Sequence, residues 1–149
     1  MRYRILTVAS LLLLLSMTSA FSQTKAAKDA KAIQAVLDAQ CDAWNRGDIE
    51  AFMGGYEHSE KTVFVGGDTV TRGWQTLLDR YKRNYDSREK MGTLTFSDLE
   101  ITPMGSDGAL VLMRWHLKRA KDEPHGRSTL IMRRSKQGWR IIHDHSSAA

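Results

Sequence analysis

The sequence HDHSS near the end of the chain places three side chains suited to proton transfer or metal binding in a row: His143, Asp144 and His145. Imidazoles and carboxylates relay protons, bind metals or form hydrogen bonds at the edge of a core. Side chains alternate between the two faces of a strand, so His143 and His145 share a face with Trp139 and Ile141. Because Trp139 and Ile141 are the stronger apolar pair, we predict that their face points inward and that Asp144 points outward.

Three roles remain open for the two histidines. Hydrogen bonding at a pocket rim or a subunit interface is the role that needs the fewest special features. Acid-base catalysis by His143 or His145 comes next, since a partly desolvated imidazole is suited to proton transfer. A metal would need a third ligand. The only obvious histidine donor is His116, and its side chain points to the opposite face of its strand from that of Trp115. Because no HExxH motif is present either, we predict no metal and no cofactor, and His143 and His145 are the best catalytic candidates.

Large aromatic residues are candidates for the wall of a ligand pocket. Five of them, Trp44, Tyr56, Trp74, Trp115 and Trp139, lie in amphipathic segments, where burial in the core is the default. Two or three of them are still expected at a cavity wall, because so many large rings leave a gap when they pack together. The single cysteine, Cys41, lies on the apolar side of a helix and is predicted to be a buried hydrophobe rather than a nucleophile.

Hydrophobic periodicity predicts the elements that position these residues. An amphipathic helix over residues 27–46 ends at Gly47, and Asp48 can cap a short helix that follows. The segments after it are a hairpin over 62–71, a helix that opens at Gly73, and strands over 92–104, 109–119, 127–134 and 139–145. This order predicts an α+β domain, with helices on one face of a curved, mostly antiparallel sheet and a conical cavity between the layers.

The first 22 residues have the character of a secretory signal peptide. Arg2 and Arg4 precede an apolar run over residues 5–15, and small residues follow it. The run is shorter than the ~20 residues that a membrane span needs. We therefore expect a secreted or periplasmic domain with no membrane attachment after cleavage.

Length and charge exclude other classes of function. The chain has 149 residues, enough for one domain with a core that needs no disulfide or metal. Removing Arg2 and Arg4 lowers the basic residues from 22 to 20 against 17 acidic ones, and they are scattered. Such a mild charge argues against a nucleic-acid partner.

The segments AWNRGD, TVFVGGDTVTRG, LVLMRWHLKR and GWRIIHDHSS together resemble the nuclear transport factor 2-like superfamily. Within it, the chain is most similar to the SnoaL-like group classed as domain of unknown function 4440, over residues 27–147. The resemblance implies a cystatin-like cone, a pocket between helices and sheet, and a homodimer formed through the outer face of the sheet.

Function does not follow from this fold, because the superfamily includes isomerases, dehydratases, cyclases and non-enzymatic binding domains. Ketosteroid isomerase, one relative, uses a tyrosine and an aspartate whose positions correspond to Gln40 and Gly66 here. Neither group is present, which argues against that mechanism, although Gln40 can donate a hydrogen bond to a ligand carbonyl.

Three hypotheses follow. The first is an exported domain that binds a small, partly apolar molecule. Its predicted ligand-binding residues are His143, His145, Gln40, Trp44, Tyr56, Trp74 and Trp115. The alternative is a cofactor-free isomerase, dehydratase or hydrolase with a pocket histidine as its acid-base group. The third is a structural oligomerisation module whose pocket has no ligand.

Overall fold

The structure is a computed structural model that describes residues 3–149, with side chains from residue 23 onward. The predicted signal peptide over residues 1–22 falls outside the described side chains, so it stays a prediction. Over the described part of the chain, no helix is both long enough and apolar enough to cross a membrane.

The chain divides into two compact units, Met1–Ala32 and Ile33–Ala149. In the first unit, the Lys25 ammonium lies 2.9 Å from the Asp29 carboxylate, one helical turn further on. The second unit contains the sheet and the helices that pack on it.

The elements largely match the prediction. In chain order they are α1 (Tyr3–Arg46), α2 (Ile49–Met53), β1 (Val63–Gly66), β2 (Thr69–Arg72), α3 (Trp74–Asn84), α4 (Arg88–Met91), β3 (Thr93–Met104), β4 (Gly108–Lys118), β5 (His125–Ser135) and β6 (Gly138–Ala148). The short helix α4 was not predicted, and α1 begins earlier than the predicted helix while ending at the predicted residue.

The joint between α1 and α2 forms for the reasons that the sequence indicates. Gly47 ends α1 with a φ of +84°, a conformation that glycine adopts at little cost. The Asp48 side chain then accepts a hydrogen bond from the Ala51 backbone N–H at 2.9 Å and caps α2.

The six strands form one sheet in the order β2-β1-β6-β5-β4-β3, which leaves two free edges. All neighbouring strands are antiparallel except β1 and β6, which run parallel and join the N-terminal hairpin to the last strand. The fold is therefore α+β with a mostly antiparallel sheet, as predicted. Helices α2 and α3 and the part of α1 from Ile33 onward pack on one face of this sheet. The buried core includes Ile33, Leu37, Met53, Leu77, Val111, Leu130, Met132 and Ile141.

A β-bulge interrupts β6. Met132 of β5 pairs with Ile141, but Ile131, the next residue along β5, pairs with His143. Ile142 is therefore an extra residue in β6, and an extra residue shifts the alternation of side chains by one position.

The bulge overturns the predicted orientation of the last strand. Trp139 and Ile141 are buried, as expected, but beyond the bulge Asp144 joins their face and is only 5% exposed. His143 is half-buried and His145 exposed, on the opposite face. The prediction that the histidines point inward is wrong. It assumed regular alternation of side chains along the strand, and an inserted residue breaks that alternation.

Candidate ligand-binding cavity

A cavity of about 280 Å³ lies between the helices and the inward face of the sheet. Its wall is largely apolar, and the apolar residues come from α1, α3 and every strand except β2 and β5: Trp44, Phe64, Tyr81, Tyr85, Leu94, Phe96, Met113, Trp115, Leu117 and Ile141. The polar groups in the wall are fewer: Gln40, Tyr56, Arg80, Ser128, Asp144 and Ser146.

The tryptophans in the wall are fixed by hydrogen bonds and ring contacts. Trp44 donates from Nε1 to the Met91 carbonyl at 3.0 Å, and its ring packs edge-on against Tyr85 with centroids 4.6 Å apart. Trp115 donates from Nε1 to the Ser147 carbonyl at 3.1 Å. Because the indole N–H groups are already used, these rings offer a ligand mainly apolar surface.

Asp144 is the centre of a polar network in this wall. The Tyr56 hydroxyl donates to Asp144 Oδ2 at 2.7 Å, and the Ser146 hydroxyl donates to Oδ1 at 2.7 Å. The Ser146 and Ser128 hydroxyl oxygens are 2.6 Å apart. The Tyr81 hydroxyl is also hydrogen-bonded to that of Tyr56. Each oxygen of the buried carboxylate thus has a donor, as a buried charge requires.

Burial controls the titration of this network. It raises the pKa of Asp144, while the hydrogen bonds from Tyr56 and Ser146 and the charges of His143 and His145 oppose that rise. Burial and the Asp144 charge raise the pKa of Tyr56, and they raise that of Tyr81 as well. Both phenols therefore stay protonated as donors, and the carboxyl group of Asp144 is the group here able to exchange a proton.

The structure places four of the predicted ligand-binding residues in the cavity wall: Gln40, Trp44, Tyr56 and Trp115. Gln40 is 2% exposed and donates from Nε2 to the Phe52 carbonyl at 3.0 Å. Gly66 also lines the cavity, so both positions that the resemblance matched to catalytic residues of ketosteroid isomerase lie in the wall.

The remaining predicted residues lie elsewhere. His143 and His145 are outside the wall because of the bulge, so a role for either in cavity chemistry loses its geometric basis. Trp74 lines a separate, open groove, where it stacks on His58 with ring centroids 4.1 Å apart. Its Nε1 donates to the Met53 carbonyl at 3.0 Å, which holds the ring against the end of α2.

Two other side chains that the sequence singled out also have defined surroundings. His116 Nε2 lies 3.3 Å from the Glu123 carboxylate, and its ring packs near that of His125. Burial raises the pKa of the Cys41 thiol to about 11, which keeps it protonated and unreactive at neutral pH.

Sequence reasoning missed Asp144, Ser146, Ser128, Arg80 and Tyr81 as cavity residues. Asp144 was considered and assigned to the wrong face. Tyr81 follows Trp74 by seven residues, a spacing that puts both on one face of α3, but nothing in the sequence indicated which of the two would reach the cavity.

Comparisons with known proteins agree with this architecture. The SnoaL-like domain family matches residues 33–149. An NTF-2-like protein of unknown function from Shewanella oneidensis is 39% identical, with a TM-score of 0.76, over 79% of this chain and 98% of that one. No curated protein is significantly similar to the chain.

More distant structures share the fold alone. A ketosteroid isomerase-like protein from Erwinia carotovora atroseptica is 20% identical, with a TM-score of 0.63, over 79% of this chain and 94% of that one. A cystatin-like protein of unknown function from Nostoc punctiforme is 12% identical, with a TM-score of 0.66, over 80% and 90%.

The class of the protein is thus an α+β cone with a cystatin-like fold, as predicted. Because the family match spans well over half of the chain, the protein belongs to the SnoaL-like domain family of the nuclear transport factor 2-like superfamily.

Proposed function

We propose that this protein binds a small, partly apolar molecule in the cavity between its helices and sheet. The observation that carries the proposal is the composition of the wall, where many apolar rings surround one converging polar network centred on Asp144. Such a combination is typical of small-molecule sites, in which apolar surface supplies affinity and a few polar groups fix orientation. The volume of about 280 Å³ suits a ligand of one or two rings.

Blocking the cavity tests this proposal. Ala148 is an exposed residue at the end of β6 that also lines the cavity, so Ala148→Trp should fill the opening without disturbing the core. We expect native mass spectrometry of protein purified from its own host to show a bound molecule that Ala148→Trp abolishes. The same change at Ala120, an exposed loop residue away from the cavity, serves as the control. Equal ligand occupancy in all three proteins would refute binding in the cavity.

A second candidate is cofactor-free acid-base catalysis, as in an isomerase, dehydratase or hydrolase. The acid-base group would be Asp144 rather than a histidine, because Asp144 lines the cavity and burial raises its pKa. A carboxyl group with a raised pKa is a better proton acceptor than a solvated one.

Hydrogen exchange distinguishes the second candidate from binding alone. Isomerisation and dehydration often begin with removal of a proton next to a carbonyl group, so we would follow deuterium uptake into cyclohexanone in D₂O by NMR. Catalysis predicts that the native protein accelerates uptake and that Asp144→Asn loses at least about tenfold of that acceleration. Asp79→Asn, at an exposed position of α3, should have no effect. No acceleration over buffer would leave binding as the better proposal.

We further propose that the domain acts as an exported homodimer. Export rests on the sequence of residues 1–22, and N-terminal sequencing of protein from its own host should begin after that segment. Dimerisation through the outer face of the sheet is supported by the half-buried apolar side chains there, Val63, Val65, Leu110, Leu112 and Ile131. Such a contiguous apolar face commonly marks an interface.

A further inference from the structure

Arg80 of α3 is the only cationic side chain in the described cavity wall. Its guanidinium carbon lies 5.0 Å from the centre of the Phe64 ring, a cation–π contact. Its Nη1 donates to the Thr71 hydroxyl at 2.8 Å. Phe64 and Thr71 both belong to the β1–β2 hairpin, so the hairpin holds the guanidinium in place before any ligand arrives.

The fixed guanidinium has no anionic partner among the described residues. Arg119, Arg127 and Arg133 each contact a carboxylate, at 2.9, 3.2 and 2.9 Å respectively, whereas Arg80 forms no such ion pair within the described part of the chain. The one contact made by its donors is neutral, from Nη1 to a hydroxyl. A cation that lines a cavity with donors to spare is suited to an anion.

Gly66 leaves space beside the guanidinium. A Cβ atom on Gly66 would be only 2.8 Å from the Phe64 ring, which is too close, and would be in ordinary contact with Arg80 Nη2 at 3.5 Å. Gly66 lines the cavity, so the absence of a side chain at this position leaves room next to Nη2 on the cavity side.

We propose that the cavity takes small monocarboxylates with an aromatic or alicyclic body, and that Arg80 binds the carboxylate. This inference rests on the proposed function, because it names the ligand class of the same cavity. The planar guanidinium matches a carboxylate with two parallel N–H donors. The body of the ligand packs against Tyr81, Tyr85, Phe96 and Trp115.

Asp144 limits the ligand to one negative charge. Phe64 pairs with Asp144 across β1 and β6, and Gly66 pairs with Ser146. Ser146 therefore lies opposite Gly66, the glycine next to Arg80 Nη2, and Asp144 is two residues, or about 7 Å, away from Ser146 along β6. A second carboxylate on the ligand would approach the buried carboxyl group of Asp144, whereas a hydroxyl group could donate a hydrogen bond to it.

A matched pair of probes tests the proposal. Phenylpropanoate and phenylpropanamide have nearly the same size and differ in charge, and their affinities can be measured by NMR titration of the full chain. We expect the native protein to bind the carboxylate at least about tenfold more tightly than the amide. Arg80→Gln should bind the two probes equally, and Arg80→Lys should restore part of the preference. Arg83→Gln, an exposed arginine one turn further along α3, should retain it.

The outcomes separate this inference from the proposed function. If both probes bind equally to the native protein, or if Arg80→Gln keeps the preference, the role of Arg80 is refuted while binding in the cavity stands. If neither probe binds, or if both still bind to Ala148→Trp, the cavity proposal fails as well. Retained binding of the amide by Arg80→Gln shows that this variant is folded, so a lost preference is due to the charge.

Discussion

At the residue scale, Asp144 is a carboxyl group in an apolar wall whose two oxygens each accept a hydrogen bond. Transfer of a charge from water into such a wall costs free energy, and the two hydroxyl donors offset only part of this cost. The net result is the raised pKa. Ionised Asp144 therefore destabilises the fold relative to the protonated form, a cost that is typical of a group kept for a purpose other than stability.

The pH dependence of stability follows from this direction. A pKa raised in the folded state means that the folded chain binds the proton more tightly than the unfolded chain does. The contribution of Asp144 to the free energy of unfolding should thus fall as pH rises from the unfolded pKa near 3.8 to the folded pKa, and then level off. Each unit by which the folded state raises this pKa lowers the free energy of unfolding above that range by about 1.4 kcal/mol.

Urea unfolding of the native protein and Asp144→Asn between about pH 3.5 and 8 measures this term. We expect the free energy of unfolding of the native protein to fall relative to that of Asp144→Asn as pH rises through that window. Asp79→Asn should not reproduce the trend, because Asp79 is exposed. A constant difference between native and Asp144→Asn across the range would mean that burial does not raise the pKa of Asp144.

At the element scale, local chemistry was sufficient to predict most helices and strands. Apolar steps of three and four residues indicated α1 and α3, and Gly47 with Asp48 indicated the joint between α1 and α2. The turn residues between β3, β4, β5 and β6 indicated the hairpins. These signals act over a few residues, so the sequence carries them directly.

Other features of the same elements depend on partners far along the chain. The parallel pairing of β1 with β6 joins Val63 to His143, and no local pattern specifies that partner. Helix α4 has only four residues, too few for a periodic pattern, and it depends on the Ser87 cap and on burial of Met91. The bulge at Ile142 is defined only by the register of β5 against β6. The position of Asp144 in the site could not be predicted for this reason.

At the scale of the whole molecule, the outer face of the sheet has a row of side chains that runs across four strands. Val63, His143, Ile131 and Leu110 are successive lateral neighbours on β1, β6, β5 and β4. All four are half-buried within the single chain. His143 is thus surrounded by apolar neighbours on the face where we propose that a second copy packs, so we propose for it the subunit-interface role, one of the roles that the sequence left open.

The homodimer proposal predicts that a charge in this row separates the subunits. Leu110→Glu places a carboxylate among apolar residues at the proposed interface, where burying it would cost several kcal/mol. We expect light scattering after size exclusion to give the mass of a dimer for the native protein and of a monomer for Leu110→Glu, with an unchanged circular dichroism spectrum. Thr76→Glu, at an exposed position of α3 and away from the outer face of the sheet, should stay dimeric. A native protein that is monomeric at all concentrations would refute the proposal.

The extra residue in β6 also affects how functional positions transfer between relatives. Side chains of a strand alternate between the two faces of the sheet, and the bulge at Ile142 exchanges the faces for the residues that follow it. In a relative whose last strand has the same residues but pairs with β5 without a bulge, two imidazoles would enter the cavity and the carboxyl group would move to the outer face of the sheet. Conservation of those residues alone would therefore not establish a conserved site. The pairing register of the last strand against its neighbour would be the feature to compare.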